Sequence, residues 1–263
     1  MQSQHSYSLW LDFLGRFTIF APTNAAFSAL PASTLTALGN DVTALQNVLK
    51  YHVVPGSVYK SVAFNELKVR TFNGQSIRFN VYQHVNKVTI EGSEIIQFDR
   101  KAINGVIHVI NKVMVPPTGD IVDLVVKTPA VSTLLSLVQR AGIANALKTE
   151  SITVFAPTND AFARLPQAVV SQITSDPNLL REVLEYHVVP HTEYSAGLYD
   201  GELLPTLDSN HDTIQVHVDS TGVRVNQNGH VTTADVDATN GVVHLIDNVL
   251  IPARYYLSII GRK

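Results

Sequence analysis

The chain repeats itself at the spacing of a whole domain. The segment Thr18–Pro31, TIFAPTNAAFSALP, returns as Thr153–Pro166, TVFAPTNDAFARLP. Leu49–Gly56, LKYHVVPG, returns as Leu184–His191, LEYHVVPH, and a third block, NGVIHVI, returns as NGVVHLI. The offsets are 135, 135 and 136 residues. Solenoid repeats run about 20–50 residues, so this longer period predicts two tandem copies of one globular domain.

The boundary between the copies is predicted in the short segment Pro116-Pro117-Thr118-Gly119. This placement gives domain one as residues 1–117 and domain two as residues 118–263. Of the 263 residues, 45% are apolar, which is enough for each domain to form a hydrophobic core of its own.

The pattern of domain two predicts helices first and strands afterwards. Thr128-Pro129 is expected to cap and begin a helix that ends at Gly142, Thr158 to cap a short helix, and Asp176-Pro177 to begin another. Alternating or β-branched runs predict strands at Ile152–Ala156, Thr213–Val218, Gly222–Asn226, Val242–Ile246 and Val249–Ile251. We therefore predict the α+β class, with each domain a β-sheet or β-wedge packed with a layer of short helices.

Domain one follows the same order but begins differently. Domain two has 35 residues before Thr153, whereas domain one has 17 before Thr18, and they hold no counterpart of the helix that ends at Gly142. We expect the N-terminal helical part of domain one to be incomplete and partly replaced by apolar residues near its start. The apolar residues are Leu9, Trp10, Leu11, Phe13 and Leu14. The elements that match domain two are a helix at Thr43–Tyr51 and strands at Ser76–Asn80, Lys87–Glu91 and Val106–Ile110.

The three repeated blocks resemble the best-known segments of the fasciclin domain family. All three occur in both copies, in the same order and at matching spacing. The resemblance implies tandem fasciclin-like domains and a role in extracellular adhesion.

Signatures of catalysis are absent from the sequence. There is no Gly-x-Ser-x-Gly, no Gly-x-Gly-x-x-Gly and no phosphate-binding Gly-Lys-Ser/Thr loop. With no cysteine, the chain has no disulfide and no thiolate metal ligand. His187 and His191 are four residues apart, but Pro190 between them breaks the helical turn that would align them on a metal. We predict no enzymatic activity, no cofactor and no metal site.

The Tyr-His pairs follow a predicted helix in each copy. Tyr186 and His187 suit a half-buried corner where the end of a helix is tied to a sheet. The family resemblance also links this segment to integrin-dependent adhesion, so both residues are secondary receptor-binding candidates. His108 and His244 lie within apolar strands and are expected to be buried, neutral and bonded to the backbone.

The resemblance places the main receptor-binding candidates at Asp235 and Val236, just before the NGVVHLI block. An exposed carboxylate there can complete the coordination of a receptor-bound divalent ion, since hard cations prefer oxygen ligands. The alternative is that Asp235 accepts hydrogen bonds from nearby backbone amides. Domain one has Asp99-Arg100 at the matching place, without the aliphatic residue, so the role is not transferred to it.

Charge divides unevenly between the domains. Residues 1–117 hold 10 Lys+Arg and 6 Asp+Glu, a net charge of +4, while residues 118–263 hold 9 and 16, a net charge of −7. We expect domain one to engage an acidic matrix component such as a sulfated glycan. So little positive charge argues against nucleic acid. The candidate residues are Lys60, Lys68, Arg70, Arg78, Lys87, Arg100 and Lys101.

The sequence thus predicts a non-enzymatic extracellular adhesion or matrix-binding protein with an integrin-type receptor. Two alternatives stay open: a self-assembling structural matrix protein held by contact between oppositely charged domains, and a small-ligand-binding module. No apolar run approaches the about 18–20 residues needed to cross a bilayer. We expect no signal peptide in this chain, because Asp12 interrupts the only apolar run near its start and no basic segment precedes it.

Overall fold

The computed structural model describes residues 15–255. The apolar run at Leu9, Trp10, Leu11, Phe13 and Leu14 lies outside this range. Contacts divide the chain into two compact units, Met1–Pro116 and Pro117–Lys263. Each unit is described by itself, as domain one and domain two.

Domain one, from residue 15 onward, contains one seven-stranded sheet and three α-helices. Its elements are β1 (Phe17–Pro22), α1 (Asn24–Ser28), α2 (Ala32–Asn40), α3 (Val42–Tyr51), β2 (Val53–Pro55), a 3-10 turn (Lys60–Val62), β3 (Lys68–Arg70), β4 (Ser76–Tyr82), β5 (Lys87–Ile90), β6 (Ser93–Ala102) and β7 (Gly105–Ile110). The sheet order is β2-β1-β7-β6-β5-β4-β3. Strands β1 and β7 run parallel, and the other neighbours are antiparallel.

Domain two, as far as residue 255, has the same sheet and a larger helical layer. Its elements are α4 (Ile121–Lys127), a 3-10 turn (Pro129–Val131), α5 (Ser132–Ala141), a 3-10 turn (Ala146–Lys148), β8 (Ile152–Pro157), α6 (Asn159–Ala163), α7 (Gln167–Ser175), α8 (Pro177–Glu185), β9 (Val188–Val189), β10 (Leu203–Pro205), β11 (Thr213–Asp219), β12 (Gly222–Val225), β13 (Gly229–Ala238) and β14 (Gly241–Ile246). The order β10-β11-β12-β13-β14-β8-β9 is that of domain one read from the opposite edge. The predicted α+β class is confirmed.

Most of the predicted helix boundaries are confirmed by their capping contacts. The hydroxyl of Thr158 accepts from the amide of Ala161 at 3.3 Å, and Asp176 accepts from the amides that begin α8. Gly142 ends α5 with φ +67°, a left-handed conformation that glycine adopts without strain. These caps satisfy backbone groups that a helix end leaves unpaired.

One local prediction holds in part and another is wrong. Pro129 begins a 3-10 turn with Thr128 at its N-cap position, but the Thr128 side chain makes no capping bond. The unpredicted helix α4 ends at this point, and the Thr128 hydroxyl donates to the carbonyl of Leu124 at 2.7 Å. Val249–Ile251 is not a strand. The amide of Leu250 donates to the ring of His187 instead, so the segment is held by a side chain rather than by a neighbouring strand.

The helical layers of the two domains differ in how well they cover the helix before the Tyr-His pair. In domain two, Leu180 and Leu184 on α8 are 1% and 3% exposed, within a core that includes residues of α4 and α5. The matching Leu45 and Leu49 on α3 are 38% and 50% exposed. Within the described part of domain one, this apolar helix face is therefore more exposed than the matching face of domain two. The prediction about the N-terminal part of domain one concerns residues outside the described range and stays a prediction.

Candidate functional site

Asp235 lies at a β-bulge in β13. The pairing of β13 with β14 shifts register between Thr233 and Val236, and Asp235 has φ +58°. Its backbone amide turns toward β14 and donates to Nδ1 of His244 at 3.2 Å. A bulge leaves one residue outside the regular ladder and redirects its side chain, and here that residue is Asp235.

The ring of His244 fixes this bulge from inside the domain. Since Nδ1 accepts the amide of Asp235, the proton is on Nε2, which donates to the carbonyl of Glu193 at 2.8 Å. The ring is buried and stacks on Phe155 with a centroid distance of 5.3 Å. The predicted buried, backbone-bonded histidine is confirmed.

The carboxylate of Asp235 is fastened to a loop 40 residues away in sequence. Oδ1 accepts from the amide of Ser195 at 2.7 Å, and Oδ2 accepts from the Ser195 hydroxyl at 2.7 Å. Asp235 is half-buried, and Val236 packs partly against the hydrophobic core. Sequence reasoning missed Ser195, and a single sequence gives no signal that links two residues so far apart.

Domain one builds the same bulge without the aliphatic neighbour. Asp99 has φ +55°, its amide donates to Nδ1 of His108 at 3.2 Å, and Oδ1 accepts from the amide of Lys60 at 2.9 Å. Nε2 of the buried His108 donates to the carbonyl of Val58 at 2.7 Å. The backbone framework belongs to both domains, while the side chains around it differ: Arg100 stands in place of Val236, and Lys60 in place of Ser195.

Tyr186 and His187 form an internal corner. Nδ1 of His187 donates to the carbonyl of Val183 at 2.7 Å, and Nε2 accepts from the amide of Leu250 at 2.9 Å. Burial lowers the pKa of His187 to about 4, because a charged ring is poorly solvated there. The Tyr186 hydroxyl donates to the carbonyl of Thr213 at 2.9 Å, and burial raises the pKa of Tyr186. Both side chains are buried in the domain. The receptor role of this pair stays a prediction.

Two motif asparagines attach the helical layer of domain two. The side chain of Asn240 is buried, accepts from the amide of Ile121 at 2.9 Å and donates to the carbonyls of Leu147 and Thr149. Asn159 accepts from the amide of Thr133 at 2.9 Å and donates to the carbonyl of Pro129. These contacts give Asn159 and Asn240 a structural role that the sequence alone did not indicate.

The basic candidates of domain one fall into separate places. Arg78 is buried and pairs with Glu66 at 3.1 Å, which leaves it out of any surface contact. Nζ of Lys87 lies 3.7 Å from Oε2 of Glu94, so these two side chains form an ion pair. The amide of Lys60 donates a hydrogen bond to Asp99, and the next two residues of β6, Arg100 and Lys101, are exposed. Lys68 and Arg70 are exposed on β3, at an edge of the sheet.

Residues 15–255 contain no cluster of three His, Cys, Asp or Glu side chains arranged to hold a metal ion. In the same range no single helix is long and apolar enough to cross a membrane. Ile121–Lys127 together with Pro129–Ala141 meet the length and composition requirement only as a pair bent by 101°.

Comparison with known proteins identifies the fold family. The fasciclin domain model matches residues 6–116 and 129–252. The chain belongs to the fasciclin domain family. It consists of two tandem fasciclin domains, as the resemblance implied.

Several curated relatives share the pair of fasciclin domains or one copy of it. Transforming growth factor-beta-induced protein ig-h3 of Oryctolagus cuniculus is 33% identical over 244 residues, which cover 90% of this chain and 35% of the relative. Periostin of Homo sapiens is 30% identical over 254 residues, covering 95% and 30%. Protein sll1483 of the bacterium Synechocystis is 39% identical over 135 residues, covering 50% and 73%. The chain thus spans about a third of the length of the first two relatives.

A solved FAS1 domain pair from the insect cell adhesion molecule fasciclin I is also similar. It is 21% identical, with a TM-score of 0.47, and the match covers 91% of this chain and 90% of that one.

Proposed function

We propose that this pair of fasciclin domains acts outside the cell as a non-enzymatic adhesion or matrix-binding protein. The observation that carries the proposal is the match of both halves of the chain to a family whose resemblance implies adhesion. The relatives include bacterial proteins, so the extracellular location is part of the proposal.

The proposed receptor contact is the carboxylate of Asp235. Its Oδ1 keeps the bond from the Ser195 amide, while the Ser195 hydroxyl can rotate away from Oδ2. Oδ2 then coordinates a divalent ion held by an integrin-type receptor, since such ions prefer carboxylate oxygen. Val236 fixes the position of Asp235 by packing on the core.

Cell adhesion to the immobilised full chain in the presence of Mg²⁺ tests this contact. Asp235→Asn removes the charge but keeps a side chain that tolerates the left-handed backbone, and we expect adhesion to be lost. The matched control is Asp99→Asn, which makes the same change at the same bulge of domain one, and we expect adhesion to persist. Ser195→Ala removes only the bond to Oδ2, so adhesion should also persist.

Adhesion that survives in folded Asp235→Asn, or that needs no divalent ion, contradicts the receptor contact. Tyr186 and His187 remain the secondary proposal. Because both side chains are buried, loss of adhesion in their variants counts only where the circular dichroism spectrum and the unfolding midpoint are unchanged.

A second proposed contact joins domain one to an acidic glycan. Lys60 lies at the β6 bulge, where its amide donates to Asp99 and its amino group stands 4.5 Å from the centroid of the Phe98 ring, and Arg100 and Lys101 follow Asp99 on β6. Binding of heparin to the full chain should weaken as salt rises, because salt screens exposed charges. Arg100→Gln with Lys101→Gln should weaken binding more than Lys68→Gln with Arg70→Gln. Binding that does not change with salt contradicts the proposal.

Self-association is the alternative function that the structure favours by a specific observation. The α3 face with Leu45 and Leu49 is exposed, whereas the same face in domain two is covered. Exposed apolar patches mark association surfaces. Light scattering of the full chain should show oligomers that Leu45→Gln with Leu49→Gln disperses. Salt-sensitive oligomers that persist in this variant would indicate contact between the oppositely charged domains instead.

A further inference from the structure

Domain two carries a glutamate where domain one has a core valine. The carbonyl of Glu193 accepts from Nε2 of His244, just as the carbonyl of Val58 accepts from Nε2 of His108. The two residues therefore occupy the same position in the two folds. Val58 packs against the hydrophobic core of domain one. A carboxylate in its place is taken out of water and needs compensation.

A second glutamate replaces a second apolar residue close to the first. The carbonyl of Glu202 accepts from the amide of Val216 at 2.8 Å, and the carbonyl of Leu67 accepts from the amide of Phe79 at 2.8 Å. Leu67, like Val58, packs against the core of domain one. Domain two has thus exchanged two apolar contacts for a pair of carboxyl groups.

Neither glutamate is fully compensated in its surroundings. Glu193 is 8% exposed, and its Oε1 lies 3.0 Å from Nε2 of His191. Its Oε2 is buried and has no hydrogen-bond partner within residues 15–255. Burial, together with the nearby charge of Glu193, raises the pKa of Glu202 to about 7.

The loop that carries both glutamates also holds the bulge of β13. The amide of Glu193 donates to the hydroxyl of Thr153 at 2.7 Å. The amide and the hydroxyl of Ser195 both donate to the carboxylate of Asp235. Any movement of this loop therefore reaches Asp235. The other titratable groups on the loop are His191, Tyr194, Tyr199 and Asp200, and the amide of Tyr199 donates to Oε2 of Glu202 at 3.4 Å. Those that face the loop from neighbouring strands include His217, Asp235 and His244.

We propose that Glu202, beside the buried Glu193, forms a pH-sensitive latch that holds the loop His191–Glu202 on Asp235 while Glu202 is protonated and releases the loop when Glu202 is ionised. A proton on Glu202 removes the repulsion between two carboxylates in a poorly solvated place. The folded-state pKa of Glu202 lies above its ordinary value of 4.5. The stabilisation is therefore complete below about pH 4.5 and is lost as pH rises through about 7.

Amide hydrogen exchange in the full chain tests the latch, because each domain supplies one arm of the comparison. The amide of Ser195 donates to Asp235 in domain two, and the amide of Lys60 donates to Asp99 in domain one, where both glutamate positions are apolar. After correction for the intrinsic exchange rate, we expect the protection of Ser195 to fall by up to about tenfold between pH 6 and pH 8. One pKa unit corresponds to tenfold, and partial exposure of Glu202 reduces the effect. The protection of Lys60 should not change.

Two variants decide whether Glu202 is responsible. Glu202→Leu installs the residue of domain one, and Glu202→Gln keeps the shape of a protonated glutamate without the ability to ionise. Both should give a Ser195 protection that is the same at pH 6 and pH 8. If one variant does not fold, the other carries the test. A pH dependence that is equal in the wild type and the folded variant overturns the proposal, as does an equal fall at Lys60.

Discussion

Asp235 and His244 are joined across two neighbouring strands, with the amide of Asp235 donating to Nδ1 of the buried ring at 3.2 Å. Because Nε2 of the same ring donates to the carbonyl of Glu193, one side chain connects a bulge, a central strand and a distant loop. Asp99 and His108 repeat the relationship at 3.2 Å in domain one. The histidine of the NGVVHLI block is therefore a structural crosslink between backbone groups.

Replacing this histidine should destabilise domain two strongly. His244→Leu leaves the amide of Asp235 and the carbonyl of Glu193 without their ring partner, and we expect a loss of about 2–4 kcal/mol in the free energy of unfolding. Urea unfolding followed by circular dichroism measures the loss. His217→Ala is the control, because His217 is only partly buried, and it should change stability by about 0.5 kcal/mol or less. Equal losses would contradict the crosslink.

Asn240 and Asn104 occupy the same motif position but should differ in importance. Asn240 is buried and bonded to three backbone groups of the helical layer, whereas Asn104 is exposed. Asn240→Ala should cost about 2–3 kcal/mol, since buried backbone groups lose their partner. Asn104→Ala should cost clearly less. Chemical unfolding of both variants makes the comparison, and a larger loss for Asn104→Ala would be evidence against this role.

The glycine after each of these asparagines lies too close to a neighbouring strand to carry a side chain. A Cβ at Gly241 would overlap the backbone carbonyl of Ile152, and a Cβ at Gly105 would overlap that of Phe17. Gly241→Ala should therefore destabilise domain two by about 3 kcal/mol or more, since a packed parallel strand pair has to separate. Gly39→Ala is the control, because nothing lies within 4 Å of the added atom and the residue is in a helix. Its unfolding midpoint should stay equal or rise, and a matching fall would refute the steric argument.

Burial of His187 makes domain two sensitive to acid. The folded-state pKa of His187 is about 4 against an ordinary 6.5, so on acidification the unfolded chain binds this proton first. The contribution to stability is complete above about pH 6.5 and is lost as pH falls toward 4. At pH 5 the loss should be about 2 kcal/mol relative to pH 7.

The measurement compares the free energy of unfolding at pH 7 and pH 5 in the wild type and in His187→Asn. Glu202 and His52 titrate in both proteins, so the difference between them reports on His187 alone. If the variant fails to fold, the ring of His187 can be titrated by NMR in the wild type. A midpoint near 6.5 would show that the ring is not held neutral by burial.

The order of elements could be predicted from the sequence because it depends on local physics. Asp176 before Pro177 and Gly142 at the end of α5 specify helix ends through contacts within a few residues. Alternation in Thr213–Val218 specifies a strand because one face is buried. Helix α4 was missed although its capping box, Asp120 with Asp123, is local, since the prediction placed the first helix start at Thr128-Pro129.

The candidate site followed from the sequence only in part. The family resemblance placed Asp235, but its partner Ser195 is 40 residues away and the ring that holds its amide is in the next strand. Arg78 looked like any other exposed base in the sequence, and only the fold shows that it is buried against Glu66. Exposure and pairing depend on what packs from elsewhere in the chain, and no local pattern contains that information.

The sequence by itself determined that the chain is two copies of one α+β domain, because a repeat of 135 residues with matching blocks has no other physical interpretation. The tertiary structure decided what each repeated block does. It made the histidines crosslinks, the asparagines of domain two attachment points for helices, and the glycines close approaches between strands. It also decided that Glu193 is buried and that burial raises the pKa of Glu202. Such roles arise from contacts between residues far apart in sequence, and only the folded backbone brings those residues together.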